Sequence, residues 1–167
     1  MKRIYLIRHA KSSWKKDFIE DFDRNLNKRG KEDAPFMAER LKQFGVKPDL
    51  IYSSPAKRAK KTAKIIAKIL DYDTKNIQYK NTLYNGNIAE YLEVLKNTPN
   101  HVNELFLIGH NPTITELGEM LSNSILTNMP TCSIVCISFN VESFEEIDMG
   151  RGEICFFDYP KKHKRGK

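Results

Sequence analysis

The chain has 167 residues, 40% of them apolar, and a formal charge of +7, which is enough material for one domain with a real core. No stretch approaches the roughly 18 uninterrupted apolar residues of a membrane span, and no secretory leader is recognisable, which argues against a membrane protein and predicts a cytoplasmic one. Cys132, Cys136 and Cys155 lack CxxC spacing and sit in apolar text away from the histidines at 9, 101, 110 and 163, so they predict buried thiols in a reducing compartment and argue against a zinc site.

Residues 2–7 run into a short apolar stretch that predicts a strand. Asn27 is a cap candidate for a helix whose face is Ala34, Met37, Ala38, Leu41 and Phe44 and which Gly45 closes. After a strand at 49–53, Ser54 as cap and Pro55 at the first helical position predict a helix. Its inner face is Ala56, Ala59, Ala63, Ile66, Ala67 and Leu70. A strand at 77–80, a helix at 88–96, a strand at 104–109 and a helix at 113–122, introduced by Asn111 and Pro112, follow. From Thr131 the text turns to strand candidates at 133–139 and 152–157, with a short piece at 145–148, all suited to an antiparallel sheet edge. No repeat or internal linker interrupts this, so residues 1–160 read as one domain. The run Lys161, Lys162, Lys164, Arg165 and Lys167 reads as a basic disordered tail, 161–167. Much of the net charge lies in that tail and along one helix. No aromatic-interleaved basic motif accompanies it, so a nucleic-acid partner is not expected.

Strands alternating with helices predict an α/β three-layer sandwich with a mostly parallel central sheet, helices on both faces and an antiparallel edge near the C-terminus. Ligands of such sheets bind beyond the carboxyl ends of the strands. The loops there hold Arg8 and His9 after the first strand, Ser53, Ser54 and Arg58 after the second, and His110 after the fourth. Arginine offers a planar fork of donors matched to phosphate oxygens and stays charged at every accessible pH. Two of them in one pocket call for a phosphoryl group, and the helix amides near Pro55 and Pro112 add partial positive charge. A neutral imidazole nitrogen beside them is a competent nucleophile.

These residues resemble a known family. Leu6-Ile7-Arg8-His9-Ala10-Lys11-Ser12 is similar to the Arg-His-Gly/Ala signature of the histidine phosphatase (phosphoglycerate mutase-like) superfamily. Ser53-Ser54-Pro55-Ala56-Lys57-Arg58-Ala59 with Thr62 resembles its second motif, and Ile108-Gly109-His110-Asn111-Pro112 its third. Asp21-Phe22-Asp23-Arg24-Asn25-Leu26-Asn27-Lys28-Arg29-Gly30 is similar to the text of the small SixA-like phosphohistidine phosphatase branch. The resemblance implies that His9 attacks phosphorus while Arg8, Arg58 and His110 hold the oxygens, without metal or cofactor. Ser12 and Asn111 are secondary candidates for substrate binding, and the expected substrate is a phosphorylated protein or a small phosphorylated molecule.

Many larger relatives carry an acid after the third strand to protonate an alkoxide, yet residues 77–89 contain no Asp or Glu. Imidazole leaves without such help when its other nitrogen carries a proton, so the gap favours phosphohistidine. Asp17, Glu20, Asp21, Asp23 and Glu90 remain candidates to fold over the pocket. Trp14 and Tyr84 border the crevice as rim or packing residues, Lys11 is a weak pocket candidate, and His101 and His163 read as bystanders. A small-molecule phosphomonoesterase or mutase and a non-catalytic phosphate-binding module are the competing readings.

Overall fold

The computed structural model describes residues 1–13 and 18–163. Along β1 (Lys2–Arg8), Ile4 and Leu6 join the core on one side of the sheet while Tyr5 and Ile7 join the core on the other. A strand that is apolar on both sides has to be covered on both. The remaining strands are β2 (Leu50–Ser53), β3 (Gln78–Tyr79), β4 (Glu104–Gly109), β5 (Ile134–Phe139) and β6 (Glu153–Asp158). They form one sheet in the order β3-β2-β4-β1-β5-β6. β1 to β4 run parallel, while β5 is antiparallel to β1 and to β6. This is the expected α/β sandwich with its antiparallel edge.

α1 (Lys28–Gln43) and α2 (Lys57–Ile69) pack together over Tyr5, Ile7, Phe106 and Ile108. The single turn α3 (Thr82–Asn85), α4 (Ile88–Lys96) and α5 (Thr113–Ser122) cover Ile4, Leu6, Leu105 and Leu107. The side chain of Asn27 accepts from the amide of Gly30 at 2.8 Å to start α1. Gly45, at φ +72°, ends it in the left-handed conformation.

Several details depart from the sequence pattern. α2 starts at Lys57 with Ala56 as its cap; Pro55 lies outside it, and the Ser54 hydroxyl is engaged by the Ala56 amide and by His110. The piece at 145–148 is no strand, because Ser143 and Glu146 build a capping box that curls Phe144–Glu146 into a 3-10 turn. Cys132 and Cys136 are buried, but Cys155 is exposed, since it lies on the edge strand beside an irregularity in the β5 pairing. Residues 161–163, assigned to a disordered tail, continue instead as a turn over Pro160–Lys162, with His163 on the Asp158 carboxylate. Lys164, Arg165 and Lys167 lie outside the described residues. No described helix is long and apolar enough to cross a membrane.

Candidate active site

The register sets Arg8 against Gly109 and Ser53 against Ile108, so β1, β4 and β2 end at one level. His9, Ser54 and His110 each stand one residue beyond those ends. The His9 amide donates to Gly109 O at 3.3 Å, and its carbonyl accepts from Cys132 N at 3.0 Å. A cavity of about 300 Å³ opens there. Arg8, His9, Arg58, His110, Ser12 and Asn111, all expected from the sequence, line it together with Lys11, Arg24 and Thr131.

His9 is buried, and its Nδ1 lies 2.7 Å from the carbonyl of Ala10. A carbonyl only accepts, so the ring proton sits on Nδ1 and the lone pair on Nε2. That lone pair faces Nε of Arg58 at 3.4 Å. Burial foremost, and then the proximity of His110, outweigh the opposing pull of the Ala10 bond, and Arg58 and Arg8 add smaller contributions, so the His9 pKa is held well below its usual value. The nitrogen is therefore neutral and unprotonated at physiological pH.

The His110 ring lies 5.0 Å from that of His9 and is tilted 50° to it, with Nε2 2.7 Å from Ser54 Oγ. Ser54 Oγ already accepts from Ala56 N at 3.2 Å, so its own hydrogen is available to Nε2. With that hydrogen given to Nε2, the His110 proton sits on Nδ1. That atom is buried without a hydrogen-bond partner among the described residues, and so is Nε of Arg8. Two unpaired buried donors on residues lining one cavity suit an anion. Burial, then the Arg58 charge and, more weakly, that of Arg8, lower the His110 pKa to about 3 against the opposing charge of Asp21. Burial and Arg58 also lower that of Arg8, whose Nη1 donates to Met129 O at 3.0 Å.

Of the described acids considered for the rim, Asp21 is the one held by a cavity-lining side chain, Arg58. Arg58 donates to its main-chain oxygen at 2.7 Å and its carboxylate at 3.1 Å, and the Tyr84 hydroxyl donates to it at 2.8 Å. Arg24 pairs with the same carboxylate at 3.0 Å. Partial burial pushes the carboxyl up. The Tyr84 bond, the Arg58 charge and the bonds from both arginines outweigh this and hold it at about 2. Glu90 caps α4, while Asp17 and Trp14 fall outside the described residues. Tyr84 lies edge-on to His110 at 5.5 Å, on the rim.

Ser12 meets the cavity, but its hydroxyl accepts from Arg24 Nη2. The Asn111 amide is spent on the neighbouring loop: it donates to Asn128 Oδ1 at 2.8 Å and Met129 O at 3.0 Å, and accepts from Thr115 at 2.6 Å. Arg24 and Thr131 were not singled out as pocket residues. Arg24 arrives through a bridge that pairs Ser12 with Leu26, and its only sequence cue was the Asp21–Gly30 text. His101 is exposed and does not line the cavity.

Residues 4–102 match the histidine phosphatase superfamily, branch 1, a span that holds His9 and Arg58. The chain belongs to this superfamily. An uncharacterized chloroplastic protein of Arabidopsis thaliana is 31% identical over 153 residues, covering 87% of this chain and 70% of that protein. A protein of Agrobacterium tumefaciens assigned as the phosphohistidine phosphatase SixA has a crystal structure that matches at a TM-score of 0.79 and 29% identity, over 95% of this chain and 98% of that one. The protein histidine phosphatase SixA complexed with tungstate matches at a TM-score of 0.81 over 97% and 99% of the two chains. At 22% identity that last likeness is one of fold. Membership of the histidine phosphatase superfamily and the SixA likeness support phosphatase activity in this chain.

Proposed function

We propose that the protein is a metal-independent phosphatase that passes the phosphoryl group through Nε2 of His9 and takes it from phosphohistidine in a protein. The observation that carries this reading is the pairing of His9 Nδ1 with Ala10 O at 2.7 Å, which leaves Nε2 bare among cationic and hydrogen-donating groups. As Nε2 attacks phosphorus, the P–N bond of the substrate breaks and its imidazole leaves with the electron pair. Charge spreads over three equatorial oxygens, where Arg8, Arg58 and Nδ1–H of His110 donate. Water then attacks phosphorus, the P–Nε2 bond breaks, and phosphate departs.

Leaving-group chemistry supports the substrate class. Asp21, held at about 2, keeps no proton to give to an alkoxide at neutral pH. An imidazole protonated on its other nitrogen leaves neutral and needs none. The cationic lining also repels a divalent metal, which supports turnover without one.

Phosphate release in EDTA, from matched phosphohistidine and phosphoserine peptides, tests both parts. We expect release from phosphohistidine alone, falling by about 10³-fold or more in His9→Ala. Release undiminished in His9→Ala would refute the nucleophile, and equal release from phosphoserine would refute the substrate class.

A further inference from the structure

α2 carries Lys57, Lys61, Lys64 and Lys68 at intervals of four, three and four residues, which sets them in one row along about 16 Å of helix. The row lies opposite the face that Ala59, Ala63, Ile66 and Ala67 bury in the core. Lys57, Lys64 and Lys68 are exposed and Lys61 is half-buried. The helix holds no Asp or Glu, and none of these lysines forms an ion pair with a described residue. Like charges three and four residues apart destabilise a helix. Solubility alone is served as well by mixed signs. The row thus carries four positive charges without an ion-pair partner among the described residues, and its first lysine is next in sequence to Arg58, which lines the cavity.

Lysines attract phosphates as well as carboxylates, but as point charges they lack the fork that reads bases, and α2 contains no aromatic on which a base would stack. A broad carboxylate surface meets such a row better than a nucleic acid does. We infer that the lysine row of α2 is a docking rail for an acidic protein surface whose phosphorylated side chain enters the His9 pocket. This rests on the phosphatase reading above and adds the character of the partner.

Phosphohistidine peptides identical except for about six flanking residues, all Glu in one and all Gln in the other, span the rail when extended. They are compared on wild type and on the Lys61→Gln/Lys64→Gln/Lys68→Gln variant, which leaves the pocket untouched. For wild type at low salt we expect kcat/KM about tenfold or more higher for the Glu peptide, carried mainly by KM. This preference should vanish at about 0.5 M NaCl and in the variant. The variant should hydrolyse the Gln peptide as wild type does. Equal rates for both peptides on wild type, or a preference that survives in the variant, would overturn the rail. So would loss of single-stranded DNA binding in the variant with the peptide preference intact. Fluorescence anisotropy of the unphosphorylated Glu peptide judges docking separately from turnover. Tighter binding to wild type than to the variant supports the rail even where no phosphate is released, an outcome that would sink only the phosphohistidine reading.

Discussion

Ala10 decides which nitrogen of His9 is bare, and Ala10 is itself held by Thr62. The Thr62 hydroxyl accepts from Ala10 N at 2.9 Å and donates to Arg58 O at 2.8 Å. One buried side chain therefore ties the residue that orients the proposed nucleophile to the backbone of an arginine in the pocket. Thr62→Val preserves the shape but leaves the Ala10 amide unpaired. The expected loss is about 1–3 kcal/mol in urea unfolding. With His9 less well aimed, kcat should fall about tenfold or more while KM changes little. Unchanged kcat in a destabilised variant would confine Thr62 to a structural part.

At the level of elements, the site depends on how closely α1 approaches the loop after β1. Gly30, in the first turn of α1, would place a Cβ 2.1 Å from the carbonyl oxygen of Lys11. That carbonyl also accepts from Asn27 N at 3.0 Å. Gly30→Ala should cost about 1–3 kcal/mol through overpacking, and phosphatase activity should drop with it because Lys11 and Ser12 are displaced. Paired unfolding and rate measurements check this. The same elements show what a sequence reveals. The periods of β1, β4, α1 and α4 were legible because burial on defined faces imposes them, and His9, Arg58 and His110 were legible because they follow such strands. Arg24 was not a pocket candidate, since its place depends on Ser12 meeting Leu26 across a loop, a tertiary pairing without periodicity. The start of α2 was misplaced because Ser54 and Pro55 look like a cap, whereas the Ser54 hydroxyl is shared between Ala56 and His110.

For the whole molecule, two buried neutral histidines make stability depend on pH. In the unfolded chain each takes up a proton near pH 6.5. In the folded chain burial keeps both neutral to much lower pH, about 3 for His110. Their contribution is complete above about pH 6.5 and is lost as pH falls, by up to about 1.4 kcal/mol per unit for each. Asp21 and Asp158, whose carboxyls are held low, add their own loss only below about pH 4. Urea unfolding at pH 7, 6 and 5 should show the decline, and His110→Gln should make it shallower; a flat profile would mean that the rings protonate in place. β1 has a different consequence. It is paired on both sides, by β4 and β5, and His9 continues that pairing through Gly109 and Cys132. Edge strands can fray while these amides stay covered, so protons from Leu6 to His9 should exchange with deuterium only through global opening. Heat inactivation and loss of circular dichroism should then share one midpoint. Turnover would then report the integrity of the centre of the sheet, β4-β1-β5, and not of its edge strands β3 and β6.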